Sequence, residues 1–99
     1  MKNLFIDVDT LTSPSVLSDT MDSVTGSIYA SHAGALHVEQ SGDGTNWDID
    51  DTIAVSATTG TKINVAILLP YVRLRWVATS TTATTLRCFA RLASAGVKP

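Results

Sequence analysis

The sequence predicts an all-β fold: an antiparallel β-sandwich or jelly roll of seven to eight strands with an extended N-terminal arm. Three observations carry this. The chain holds fourteen threonines, ten serines and eleven alanines, and its apolar remainder is rich in valine and isoleucine. β-Branched side chains lose rotamer freedom against a helical turn but pack well on a pleated surface. Short segments alternate apolar and polar residues with period two, separated by turn formers about every 8 to 12 residues, and no segment of ten or more has a 3.6-residue apolar period.

The elements follow in order. Residues 4–8 set Leu4, Ile6 and Val8 against Phe5 and Asp7, a short strand. Residues 9–25 are dense in Ser, Thr and Asp with Pro14 as a breaker, and read as an arm with few contacts to the rest of the domain. Strands at 27–31 and 35–41 flank His32-Ala33-Gly34, short enough for a hairpin turn. Ser41-Gly42-Asp43-Gly44-Thr45 is a second turn, since Asp-Gly between alternating segments favours a hairpin. Strands follow at 47–50, 52–57, 62–69, 71–79 and 85–94. In 71–79, Val72, Leu74, Trp76 and Ala78 share one face and Tyr71, Arg73, Arg75 and Val77 the other. In 85–94, Leu86, Cys88, Ala90 and Leu92 oppose Arg87, Phe89, Arg91 and Ala93. The connector 80–84 is short enough to pair these two strands antiparallel. Residues 1–25 are thus strand and arm, and 26–99 the sandwich, within a single domain.

Length bounds the function. A chain of 99 residues buries only about 60 to 65% of the surface its unfolded form exposes, which leaves little room for a deep private active site. A large enzyme is excluded. One cysteine excludes an internal disulfide, and no C-x-x-C pair suggests zinc. There is no run of 18 apolar residues, and the N-terminus lacks the long apolar region of a secretory leader, so the expectation is a soluble chain with no membrane partner, made in the cytoplasm without a signal peptide.

Net charge is −2, yet the charges are segregated. Residues 1–51 hold all nine acids against Lys2, a balance of −8, whereas residues 52–99 hold six bases and no acid, +6. Either opposite faces attract copies of the molecule, or acidic and basic strands neighbour each other within one fold.

Residues able to carry chemistry are few. His32 and His37 flank a turn without a third ligand beside them. Cys88 lies on the inward face, where a thiol acts as a small apolar group. The acidic loop 43–51 has oxygens enough for calcium but not the spacing of an EF-hand, and turn chemistry accounts for Asp43 and Asn46. No catalytic residue, metal or cofactor is expected. Arg73, Arg75, Arg87 and Arg91, with Tyr71 and Phe89 among them, share the outward face of the last two strands. Such a patch suits a protein interface, while an acidic chain without an RNA-binding motif speaks against nucleic acid.

The stretch from Gly34 through Glu39-Gln40-Ser41-Gly42-Asp43-Gly44-Thr45-Asn46-Trp47, followed by Tyr71-Val72-Arg73 and closing on Leu86 to Leu92, resembles the small β-sandwich modules of tailed-bacteriophage virion proteins. In those modules a strand ending in "EQS" leads into a "DG-x-NW" turn and a later strand reads "YVR"; the lead-in from Gly26 to Gly34 is also similar, so the likeness spans residues 26–92. A more distant likeness is to discoidin-type, galactose-binding-like sandwiches. For the shared turn, Ser41, Asp43, Gly44 and Trp47 are expected to form a hairpin whose tryptophan plugs the sandwich, with Trp76 in the core.

The resemblance implies a non-enzymatic virion structural protein, in the first place a capsid decoration or cement protein that binds the major capsid protein or another virion protein as a homo-oligomer, a trimer being the order expected first. The alternatives are a tail or fibre-associated module, or a carbohydrate-binding module that recognises host surface glycans through Trp47 or Tyr71.

Overall fold

The structure, a computed structural model, describes residues 3–18 and 21–93. Eight strands are formed: β1 (Asn3–Ile6), β2 (Val16–Leu17), β3 (Ser23–Ala30), β4 (Gly34–Ser41), β5 (Ile49–Val55), β6 (Thr61–Ala66), β7 (Tyr71–Ala78) and β8 (Leu86–Ala93). They make two four-stranded antiparallel sheets, β1-β8-β3-β6 and β2-β7-β4-β5. This is the all-β sandwich the alternation predicts, with jelly-roll strand order.

Alternation supplies the core. Leu4 and Ile6 from β1, Val24 and Ile28 from β3, Leu36 and Val38 from β4, Val72, Leu74 and Trp76 from β7, and Leu86, Cys88 and Leu92 from β8 are all buried between the sheets in one cluster. One polar side chain sits among them. Gln40 is fully buried on the inward face of β4; its Nε2 donates to the Ala66 carbonyl at 2.9 Å, and its Oε1 accepts from the amides of Leu68 and Leu69 at 2.7 and 3.1 Å. These bonds satisfy the backbone where the chain leaves β6, so a buried amide closes one end of the core without loss.

Three expectations about connectivity are corrected. Residues 31–33 do not close a hairpin, because β3 pairs with β6 and β8 while β4 pairs with β5 and β7. Nor do the last two strands pair: β7 lies in one sheet and β8 in the other, so the connector between them crosses the sandwich. The strands expected at 47–50 and 52–57 are one strand, β5, which forms the only hairpin between consecutive described strands, Gln40 opposite Ile49 and Gly34 opposite Val55.

A fourth correction concerns residues 9–25. Residues 11–18 run along the open side of β7 as the edge of its sheet, and residues 23–25 open β3 in the other sheet. The Ser13 amide donates to the Leu74 carbonyl and the Leu74 amide to Ser13 Oγ, both at 2.8 Å; Trp76 N donates to the Leu11 carbonyl at 2.8 Å. Pro14 has no amide to contribute, and the buried Ser13 hydroxyl supplies a ladder bond beside it. The boundary expected at 25/26 falls inside β3. Residues 1–2, 19–20 and 94–99, which that scheme included, lie outside the described residues.

Candidate interaction surfaces

Each sheet presents one outer face to solvent, and crossing the sandwich between β7 and β8 divides the four arginines between the two faces. Arg73, Arg75 and Tyr71 stand on the β7 sheet, Arg87, Arg91 and Phe89 on the β8 sheet, so the single patch expected from sequence does not exist.

On the β7 face the arginines meet acids of the same molecule. Register places Glu39 between Asp50 and Arg73, and His37 between Thr52 and Arg75. Arg73 Nε donates to Glu39 Oε1 at 2.7 Å, and Arg75 Nη2 lies 3.2 Å from Glu39 Oε2 and 3.9 Å from Asp50 Oδ2. His37 Nδ1 sits 2.9 Å from both Asp50 carboxylate oxygens. Glu39 points outward yet is only 6% exposed, because the two guanidinium groups cover it. Trp47 does not plug the sandwich. It is half-buried on this outer face, with the Arg73 guanidinium 4.1 Å from the centre of its ring, a cation–π contact.

The neighbouring turn is built from its own polar groups. Ser41 Oγ accepts from the amides of Asp43 and Gly44 and donates to Asp43 Oδ1, which also accepts from the amides of Thr45 and Asn46 at 2.8 Å each; Asn46 Nδ2 donates to Asp43 Oδ2 at 2.7 Å. The Asn46 and Thr45 amides, then the Asn46 and Ser41 side chains, hold the Asp43 carboxyl far below the usual carboxylate range. Gly44 takes a φ of +83°, open to glycine at no steric cost, against the Tyr71 ring. No group of three His, Cys, Asp or Glu side chains among the described residues is placed to hold a metal ion.

The β8 face differs in kind. Phe5 and Phe89, opposite one another in the β1–β8 register, pack edge to face with centroids 5.6 Å apart, yet remain 53% and 55% exposed. Beside them Arg87 lies over the Tyr29 ring at 4.4 Å, and Arg91 lines a shallow cleft of about 380 Å³ with Phe5, Thr25, Gly26, Phe89 and Ala90. Gly26 lets β3 approach β8 closely beside this cleft: a Cβ there would collide with the backbone of Phe89 and Ala90. Sequence reasoning assigned Phe5 no role. Its outward position in β1 was legible, but the strand it pairs with was not.

Beneath this face Cys88 is buried, and desolvation pushes its thiol up to about 12. No described helix is long and apolar enough to cross a membrane. No curated protein and no solved structure matches the chain. A family model does match, over residues 9–92, which is most of its length. The chain therefore belongs to the family described as the N-terminal domain of the uncharacterised protein YqxG.

Proposed function

We propose that this chain is a non-enzymatic structural protein of a virion, a decoration or cement protein that works by docking the outer face of its β8 sheet onto neighbouring protein. The observation that carries the docking is the Phe5–Phe89 pair, two large aromatic rings held more than half exposed beside Arg87 and Arg91 on the outer face of the sheet. Aromatic residues and arginine are the side chains enriched at protein interfaces, and they dominate the binding energy there. The virion setting is supported by the likeness of the Gln40–Trp47 turn and the Tyr71-Val72-Arg73 strand to phage modules, and jelly rolls are a recurrent architecture of capsid proteins. Glycan recognition through Trp47 or Tyr71 is less favoured, since Arg73 covers one and Gly44 packs on the other.

Particles purified from cells that encode the chain provide the test. The protein should band with them at fixed stoichiometry in a density gradient, and antibody labelling should place it on the shell. Phe89→Asp should abolish attachment, whereas Val77→Asp, at an exposed site on the opposite face, should leave it intact. Normal banding of particles without the chain would overturn the virion reading, and labelling confined to the tail would favour a tail-associated module. Attachment indifferent to Phe89→Asp would overturn the docking face.

A further inference from the structure

The charges on the β8 face narrow what can cover it. Its outward positions include Lys62, Arg87 and Arg91, and no acidic residue occupies an outward position of β3, β6 or β8. None of these three bases makes an ion pair among the described residues. Two copies of the face cannot meet symmetrically, because an isologous contact would set like charges against one another around the aromatic pair. A partner has to offer acids.

The same molecule carries such a surface. Asp48 and Asp51, at the start and on the edge of β5, are exposed and make no ion pair among the described residues. Asp50 between them is engaged by His37 and Arg75 of its own molecule, while Asp43 stays ionised in the preceding turn and adds to the charge of this edge. Across the sandwich the strand orders put β1 at one side and β5 at the other. The aromatic pair with Arg87 and Arg91 lies toward β1 and the acidic edge along β5, with Lys62 of β6 on the β5 side. Complementary surfaces therefore lie on different sides of one chain, the arrangement a head-to-tail contact requires.

We infer that the β8 face receives the acidic β4–β5 hairpin of a second copy of this chain, so that copies associate heterologously and close into a ring or extend. This rests on the docking reading above and names its partner. The Arg73 and Arg75 pair takes no part, being engaged by Glu39 and Asp50 of its own molecule.

Sedimentation of the full chain at low and high salt tests it. The wild type should associate at about 50 mM NaCl, and at about 500 mM the association should weaken tenfold or more as screening shortens the reach of these exposed charges. Arg87→Glu with Arg91→Glu should give a monomer, as should Asp48→Lys with Asp51→Lys, each with a melting temperature near that of the wild type. Mixing the two variants is the decisive arm: one contact keeps its native charges and the other meets with its charges exchanged, so the mixture should regain the association that neither variant shows alone. A wild type that stays monomeric at all concentrations, or an oligomer indifferent to both reversals, would overturn the inference. Binding of a sulfated oligosaccharide or single-stranded DNA that requires Arg87 and Arg91, without self-association, would overturn it too and give the face a polyanion. The docking reading fails separately, when Phe89→Asp leaves particle attachment unchanged.

Discussion

Asp43 has no burial to stabilise it, yet four donors within its own turn converge on its carboxylate. Its proton affinity in the folded chain lies well below the ordinary value of 3.8, so the unfolded chain binds the proton first as pH falls. The stabilisation is therefore complete above about pH 5 and is lost progressively as acid is added below about pH 4. Asp43→Ala should lower the melting temperature at neutral pH, and the gap from wild type should shrink toward pH 3. A gap that is constant with pH would mean the bonds add nothing beyond a neutral turn. At this scale the sequence was informative where one residue's chemistry decides the outcome: Asp-Gly marked the turn, and alternation put Trp76 inside. Trp47 escaped because a large ring satisfies either a core or a guanidinium, and the choice depended on Arg73 arriving from a strand 26 positions along the chain.

Elements were legible as strands and illegible as partners. A corner that passes between sheets and a turn that closes a hairpin use the same short polar residues, so 31–33 and 79–85 gave no sign of crossing the sandwich. Residues 9–18 misled for a related reason. Serine and proline are the marks of a free arm in sequence, whereas here Ser13 pairs with Leu74 through its amide as donor and its hydroxyl oxygen as acceptor, beside a Pro14 that has no N–H to donate. The consequence for truncation is reversed from that of an arm. Deleting residues 1–20 removes Leu4 and Ile6 from the core and uncovers the outer side of β7, and the product should lack a cooperative melt and a dispersed amide spectrum. A truncated chain that melts cooperatively would show these contacts to be dispensable.

Across the whole molecule, part of the charge segregation is resolved internally. Strands from the acidic and basic halves lie side by side in the β7 sheet, where Glu39 and Asp50 face Arg73 and Arg75. Of the two accounts that segregation allowed, neighbouring strands hold for this face, and any attraction between copies falls to the other. Replacing Arg73 and Arg75 by Glu should leave the covered Glu39 carboxylate among like charges and cost about 3 kcal/mol, the low end for a buried pair because both guanidinium groups stay partly in water. Thermal melts should register the loss, and sedimentation of the folded fraction should not change. Weakened association at unchanged stability would instead assign these arginines to an intermolecular contact.

The strand order has a consequence for biosynthesis. β8 sits between β1 and β3, and β1 has no other partner in its sheet. While a ribosome is still making residues 79–85, β4, β5 and β7 are all in hand, but Leu4 and Ile6 face an empty position. The second layer can close only after β8 emerges, so the chain completes its fold late and through pairings distant in sequence, a slow step among small domains. Until then the flanks of β1 and β3 are open to any extended strand nearby, including those of other nascent copies. β8 acts as the bolt of the sandwich, and lesions that weaken it should appear first as lost yield during synthesis, before any defect in the finished protein.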